Sequence, residues 1–258
     1  MPLARTITAS LAALLAACTA CAATAAVPAG APAGVAAGIP DAAAGEGSAL
    51  SYRDAYRAMV VFDKYGGPKH LLQQQLQVLP AEPGAAAGAP GNAGEGLQLT
   101  LAGKTTRLHL PLDPLGRTVF PLQKAAYDEN AALALNRNGA FTLRPRVTIA
   151  LRADGIYDSA DLRSACAQAL DFARYVDASQ RGRQCGAVRF VFARNGSGGV
   201  RLRREGAAEQ ALPALPGAAF AGEPDAGFPT VTWRFGAVAE RAQLVTTTAP
   251  LAIVPVFD

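Results

Sequence analysis

From residue 97 onward the chain is dominated by short runs in which apolar and polar residues alternate. Leu97, Leu99 and Leu101 are separated by Gln98 and Thr100, Gly103 turns the chain, and Arg107 to Pro111 alternates again. That pattern predicts a β-hairpin. Asp113-Pro114-Leu115-Gly116 has the residue order of a tight turn, Pro second and Gly fourth. Thr118-Val119-Phe120 reads as the strand after it. Ala131 to Leu135 suits strand or helix, and Asn136-Arg137-Asn138-Gly139 is turn-like. Phe141 to Leu151 alternates around β-branched residues; Pro145 has no N–H for a ladder, which assigns the start of this strand to an edge or a bulge. Val188, Phe190 and Phe192 define one face of a further strand. Asn195 to Gly199 is expected to be a hairpin loop returning into Val200 to Arg204. Thr230 to Phe235 turns Val231, Trp233 and Phe235 inward, and Gln243 to Thr248 and Leu251 to Phe257 complete the series.

Two segments carry a helical period instead. Ser51 is a candidate N-cap with Asp54 three residues on, a variant of the capping box; Tyr52, Ala55, Tyr56 and Met59 share a face, and Gly66-Gly67-Pro68 ends the element. The clearer helix has Asp158 as its cap and Asp161 in the first turn, where the helix dipole favours an acid. Leu162, Cys166, Ala169, Ala173 and Val176 form its apolar stripe, flanked by Ala165 and Phe172. Between the two, His70 to Leu79 fits either class, and the strand is preferred. Many short strands with two or three helices give an α+β class: a mainly antiparallel β-sheet or sandwich with the helices packed on one face.

Composition narrows this picture. Half the residues are hydrophobic, but 58 of the 258 are Ala. Leu, Ile, Val and Phe still suffice for a core, which excludes full disorder. Past the N-terminus no apolar run reaches the ~18 residues of a membrane span. Two His and four Cys exclude a His-rich or Cys-rich metal protein. Residues 137–204 hold 13 Arg and 5 Asp with no Lys or Glu, a local charge of +8 within a chain of net +4. Such a sector suits phosphate, lipid A or anionic lipid heads. The plainer reading is a solvated surface from a GC-rich genome, which the 20 Arg against 4 Lys also fit.

Met1 to Ala17 has a short n-region with Arg5, then an apolar stretch from Ile7. It is too short for a span and reads as a secretory signal. The signal ends in Leu15-Ala16-Ala17-Cys18, which resembles the lipobox of bacterial lipoprotein precursors. That resemblance covers four positions and the run before them. It implies cleavage before Cys18, acylation of Cys18 and, with Thr19 rather than Asp next, sorting to the outer membrane. Several acyl chains, at about 0.8 kcal/mol per buried methylene, make a lasting anchor. Ala20-Cys21-Ala22 and Ala23-Thr24-Ala25 are competing small-residue cleavage sites that would release a soluble periplasmic protein; both routes export the chain. Residues 22–50 are nearly all Ala, Gly, Pro, Val and Thr with few large side chains, and read as a tether with a coil reach of about 30 Å. The organisation is therefore signal 1–17, lipidated Cys18 and tether to residue 50, and one domain over 51–258. Residues 80–96 and 213–229 are expected to be long loops. The chain as a whole resembles exported proteobacterial proteins, with no motif behind that likeness.

Candidate chemistry is sparse. Cys166 on the helix face and Cys185 before the following strand are expected to pair in an oxidising compartment. Cys18-Thr19-Ala20-Cys21 has redox-motif spacing but lies in the signal. His70 and His109 lack metal-ligand neighbours, no HExxH, Walker A, GxSxG or GxGxxG occurs, and Asp154, Asp158 and Asp161 are better explained by caps and turns than by Ca²⁺. Arg201, Arg203 and Arg204, joined by Arg189 on a neighbouring strand, form the candidate anionic-ligand patch; the default for such charges is a solvated edge strand. No catalytic residue, metal ligand or cofactor is assigned, and no nucleic-acid partner is expected. The expected role is a cell-envelope lipoprotein that binds an envelope protein or anionic component without catalysis. The alternative is a periplasmic hydrolase using scattered carboxylates, which would show two close acids of raised pKa in a cleft.

Overall fold

Ser51 ends one element and begins the next. Ala49–Ser51 (β1) is a short strand, and α1 (Tyr52–Lys64) follows without a break, the Ser51 hydroxyl accepting from the Asp54 N–H at 3.3 Å. The computed structural model describes residues 49–80, 96–137, 139–223, 227–236 and 241–258. The signal, Cys18 and the tether to residue 48 lie outside the described residues, as do 81–95 of the first expected loop and Asn138 of the turn. Structured backbone thus reaches two residues further toward the N-terminus than Ser51, and Leu50 is buried. The far end of α1 is capped by Lys69, whose ammonium donates to the carbonyls of Phe62, Asp63 and Tyr65 at 2.7, 2.6 and 2.9 Å. Those are the orphan acceptors of a helix C-terminus.

The remaining elements are β2 (Leu72–Pro80), β3 (Leu99–Ala102), β4 (Arg107–Leu110), β5 (Arg117–Thr118), α2 (Lys124–Asp128), β6 (Ala132–Leu135), β7 (Phe141–Ile149), β8 (Ile156–Asp158), α3 (Ser159–Val176), β9 (Cys185–Val191), β10 (Val200–Arg204), β11 (Gln210–Leu212), β12 (Leu215–Gly217), β13 (Phe228–Arg234), β14 (Ala242–Thr246) and β15 (Ala252–Phe257). They form three sheets: β1-β6-β3-β4, β11-β10-β14-β8, and a seven-stranded β12-β13-β9-β15-β7-β2-β5. Every ladder is antiparallel. The class is α+β, mainly antiparallel, with helices packed on one face of the large sheet.

Side-chain parity decides what covers each face. Val188, Phe190, Phe192, Ile149, Ile253 and Leu72 meet α3 through Leu162, Ala165, Cys166 and Ala169, and the small sheet through Tyr157, Val200, Leu202 and Leu244. Further along the same face, Leu76, Val78 and Phe141 meet α1 and the β1-β6-β3-β4 sheet through Tyr52, Met59, Leu99, Leu101 and Leu133. The opposite face carries a smaller apolar cluster, Leu115, Val191, Ala219, Phe220, Phe228, Ala252 and Val254.

Several expectations are corrected. Asn195–Gly199 is not a hairpin loop: β9 ladders with β13 and β15, while β10 ladders with β11 and β14, so the loop carries the chain between sheets. The strand expected at Thr118–Phe120 is only Arg117–Thr118, and Val119 is 75% exposed. α2 was not expected; its Gln123 N-cap makes no side-chain cap bond, and Tyr52 holds it instead, its hydroxyl accepting from the Gln123 N–H at 2.8 Å. The expected 213–229 loop contains β12 and the start of β13. Asp158 stands at the α3 N-cap, but its carboxylate accepts from Gln243 Nε2 at 3.1 Å and makes no cap bond. Pro145 does sit where β7 has a bare edge: β2 pairs it from Phe141 to Ile149, whereas β15 meets it at Ile149 alone.

Cys166, wholly buried on α3, is bonded to Cys185 at the start of β9, with Cα atoms 6.0 Å apart and a sequence separation of 19. Closing that loop contributes about 3 kcal/mol in the chain-entropy account. Cys166→Ala with Cys185→Ala is expected to lower stability by roughly that amount in urea melts. Non-reducing peptide mapping of the parent should link the two cysteines, and an unlinked pair would sink the assignment.

Candidate functional site

The arginines expected to bind anions divide between two sheets. Arg201 and Arg203 are exposed on β10, as alternation with buried Val200 and Leu202 requires; Arg204 shares the parity of the buried pair and is exposed at the strand's end. Glu209 sits between two of them, 2.7 Å from Arg203 and 3.7 Å from Arg201. Arg189 does not join them. It belongs to the seven-stranded sheet, faces away from α3, and donates from Nη1 to the Ala218 carbonyl at 3.1 Å. Beside β10 an open groove of about 750 Å³ runs past the start of α3, lined by Asp158, Asp161, Arg203, Arg204, Glu205 and Arg241. Its signs are mixed. His70 and His109 are both exposed. No group of His, Cys, Asp or Glu among the described residues has a metal-holding arrangement.

The densest polar arrangement lies on the second face of the large sheet. It begins with the Asp113–Gly116 turn. Gly116 closes the turn at φ +72°, with its N–H on the Asp113 carbonyl at 2.8 Å; a Cβ there would stand 2.8 Å from the Val78 carbonyl oxygen, so both conformation and space demand glycine. Asp113 Oδ1 accepts from the N–H groups of Leu115 and Arg117, both at 2.9 Å. Its Oδ2 accepts from Arg117 Nε at 2.9 Å and Nη2 at 2.7 Å. One carboxylate therefore shapes the turn and neutralises the side chain that the turn aims inward. Arg117 is 2% exposed, and its Nη2 also donates to the Leu251 carbonyl at 2.5 Å, bridging to the entry of β15.

Next to it, the β2–β7 ladder sets Gln73 opposite Thr148, Gln75 opposite Arg146 and Gln77 opposite Arg144. Gln77 is buried and donates from Nε2 to the Leu115 carbonyl at 3.0 Å, while its Oε1 accepts from Arg146 Nε at 2.5 Å. Arg146, also buried, reaches Glu223 through Nη2 at 2.5 Å and lies 4.5 Å over the Phe220 ring. Phe220 is within 5.8 Å of Arg117 as well. Desolvation pulls the Arg146 guanidinium below its usual range; Glu223 opposes this, and neighbouring Arg144 and Arg117 add to it. The segment Ala218–Glu223 that supplies Phe220 and Glu223 thus lies across the face, held by Arg189 at one end and Arg146 at the other.

Asp113, Arg117, Gln77, Arg146 and Glu223 were not singled out from sequence. The signal was there in part: Gln75 and Gln77 alternate with Leu76 and Val78, as Arg144, Arg146 and Thr148 alternate with apolar residues in β7. Polar alternation is normally the solvent face of a strand. Nothing local shows that a distant segment will bury it.

Elsewhere the displaced carboxyls among the described residues all move the same way. Glu129 is held below the usual range chiefly by the Thr105 N–H, Asp154 by Arg152, Asp177 by Ser179 and Glu209 by Arg203. No protein-family model, no curated protein and no solved structure matches the chain.

Two outcomes are expected. Asp113→Ala leaves Arg117 buried without its counter-charge and should cost about 3–5 kcal/mol in urea melts, with an exposed control such as Asp63→Ala near zero. The four depressed carboxyls bind protons less readily folded than unfolded. Their stabilisation is complete above the unfolded carboxyl range, about pH 4–4.5, and is lost as pH falls through the folded values. The urea midpoint should therefore drop between pH 5 and pH 3; a flat profile would contradict the assignment.

Proposed function

We propose that the chain is a non-enzymatic binding module of a bacterial cell envelope, anchored to the outer membrane through acylated Cys18 and presenting its domain to an anionic envelope component. The observation that carries the binding role is the division of labour among charged groups. A general acid needs a carboxyl that keeps its proton near neutral pH. Here every displaced carboxyl among the described residues is displaced toward the ionised form and serves as a hydrogen-bond acceptor. The arginines provide the outward-facing chemistry: β10 is paired by β11 and β14 and is no edge strand, and on its exposed face Arg201 and Arg203 share one carboxylate, leaving that face net positive. The Cys166–Cys185 bridge favours an oxidising compartment. No helix among the described residues is long and apolar enough to cross a membrane.

One fractionation experiment tests both halves. The full chain expressed in a Gram-negative host should be recovered with the outer membrane, its mass matching an acylated N-terminus at Cys18, and Cys18→Ala should move it to the soluble fraction. A soluble, unmodified parent beginning near Thr24 would reject the anchor. The soluble Cys18→Ala chain should bind vesicles containing phosphatidylglycerol and bind them about 30-fold more weakly after Arg201→Ala with Arg203→Ala, at about 1 kcal/mol per basic residue near an anionic surface. Equal binding to neutral vesicles would reject the anionic partner.

A further inference from the structure

The second face of the seven-stranded sheet carries more guanidinium than carboxylate. Arg117 and Arg146 are buried, Arg144 and Arg189 stand half-buried on the same face, and the carboxylates that meet this group among the described residues are those of Asp113 and Glu223. An arginine cannot discharge itself to escape burial, so the surplus calls for a counter-anion. Three buried polar atoms here have no partner: Arg117 Nη1, Arg189 Nε, and Gln75 Oε1 in the register position opposite Arg146.

The two carboxylates differ in kind. Asp113 is four residues from Arg117 and spends both oxygens on the turn and on that side chain. Glu223 is 77 residues from Arg146 in sequence and arrives on a six-residue segment laid over the face. Its carboxylate meets the Arg146 fork at Nη2, while Nε is fixed by Gln77 and the guanidinium plane rests on Phe220. The guanidinium is therefore oriented by groups other than Glu223. Removing that carboxylate would leave a preorganised, desolvated donor aimed at the space it vacates, and a planar fork of this kind suits an anion with two or more oxygens.

We propose that Arg146 is a binding site for a small oxyanion in solution, a carboxylate or a phosphate, occupied in this structure by Glu223 as an internal ligand that the incoming anion displaces. The site lies on a different face and uses different residues from the proposed envelope contact, so either can fail alone. A tethered carboxylate competes at an effective concentration on the order of mM or above, which weakens the apparent affinity of the parent chain for any free anion.

Calorimetric titration with sodium phosphate and, separately, sodium acetate, at ionic strength matched with sodium chloride, tests this. Glu223→Gln keeps the size of the side chain and removes its charge. It should bind phosphate or acetate at least tenfold more tightly than the parent, and Glu223→Gln with Arg146→Gln should lose that binding. Equal affinity in parent and Glu223→Gln, or binding that survives in the double variant, overturns the proposal. Should Glu223→Gln not fold, the parent carries the test: amide exchange over Ala218–Glu223 should rise as phosphate is added, and unchanged exchange up to molar phosphate overturns it.

Discussion

The pairing of β2 with β7, unbroken from Leu72↔Ile149 to Pro80↔Phe141, is the constraint on which the rest of the structure depends. Apart from Gln74 and Leu79 both strands alternate, so the ladder has one mainly apolar face and one of mainly Gln, Arg and Thr. A slip of one residue in either strand would turn that strand's polar set into the core and its apolar set out. With the register fixed, the apolar face has to be covered along its full length. Two clusters do this end to end, α3 with the β11-β10-β14-β8 sheet and α1 with the β1-β6-β3-β4 sheet. The helices lie on one side of the large sheet because that side is where apolar surface waits to be removed from water.

The same register commits the protein to a polar interior on its other side. Arg146 and Gln77 cannot be turned away without disturbing Leu76 and Val147, which alternate with them. The chain closes over them with groups from far away in sequence: Leu115 and Arg117 from the Asp113 turn, Phe220 and Glu223 from the segment after β12. Buried guanidinium is a poor source of stability, since desolvation offsets much of the Coulomb gain. Its value lies in direction, because Arg117, Arg146 and Arg189 are each fixed in orientation by an amide, a carbonyl or a ring. That is the common property of sites that recognise anions, and it is why this face, rather than the mixed-charge groove by α3, is the chemically distinctive part of the fold.

How much of this was legible in the sequence depended on whether the cause was local. The Leu97–Pro111 hairpin, the Ser51 cap and the α3 stripe follow from alternation, a hydroxyl at one position and a 3.6-residue period, and all are present. The cysteine bridge needed only two leftover thiols on neighbouring elements. The stripe of α3 is centred differently from the wheel: Gln168, Leu170 and Phe172 are buried while Ala173 and Val176 are half-exposed, and the end of α1 with the link to β2 covers this side, the rings of Phe62 and Tyr65 meeting Phe172 and the Leu71 N–H donating to Gln168. The route from β9 to β10 was misjudged because Val188–Phe192 and Val200–Arg204 would alternate identically as hairpin partners or in separate sheets. Arg189 was grouped with Arg201 and Arg203 for the same reason. The arginine face escaped notice because alternation reports that a strand has a polar side and says nothing of what will lie on it.

The seven-stranded sheet has β15 as its middle member, with β12, β13 and β9 to one side and β7, β2 and β5 to the other. In sequence β15 comes after all of them. During synthesis, then, the two half-sheets exist without their keystone until residues 252–257 emerge, and neither half can be joined to the other before then. The architecture leaves the joining of its two half-sheets to the strand that comes latest in sequence.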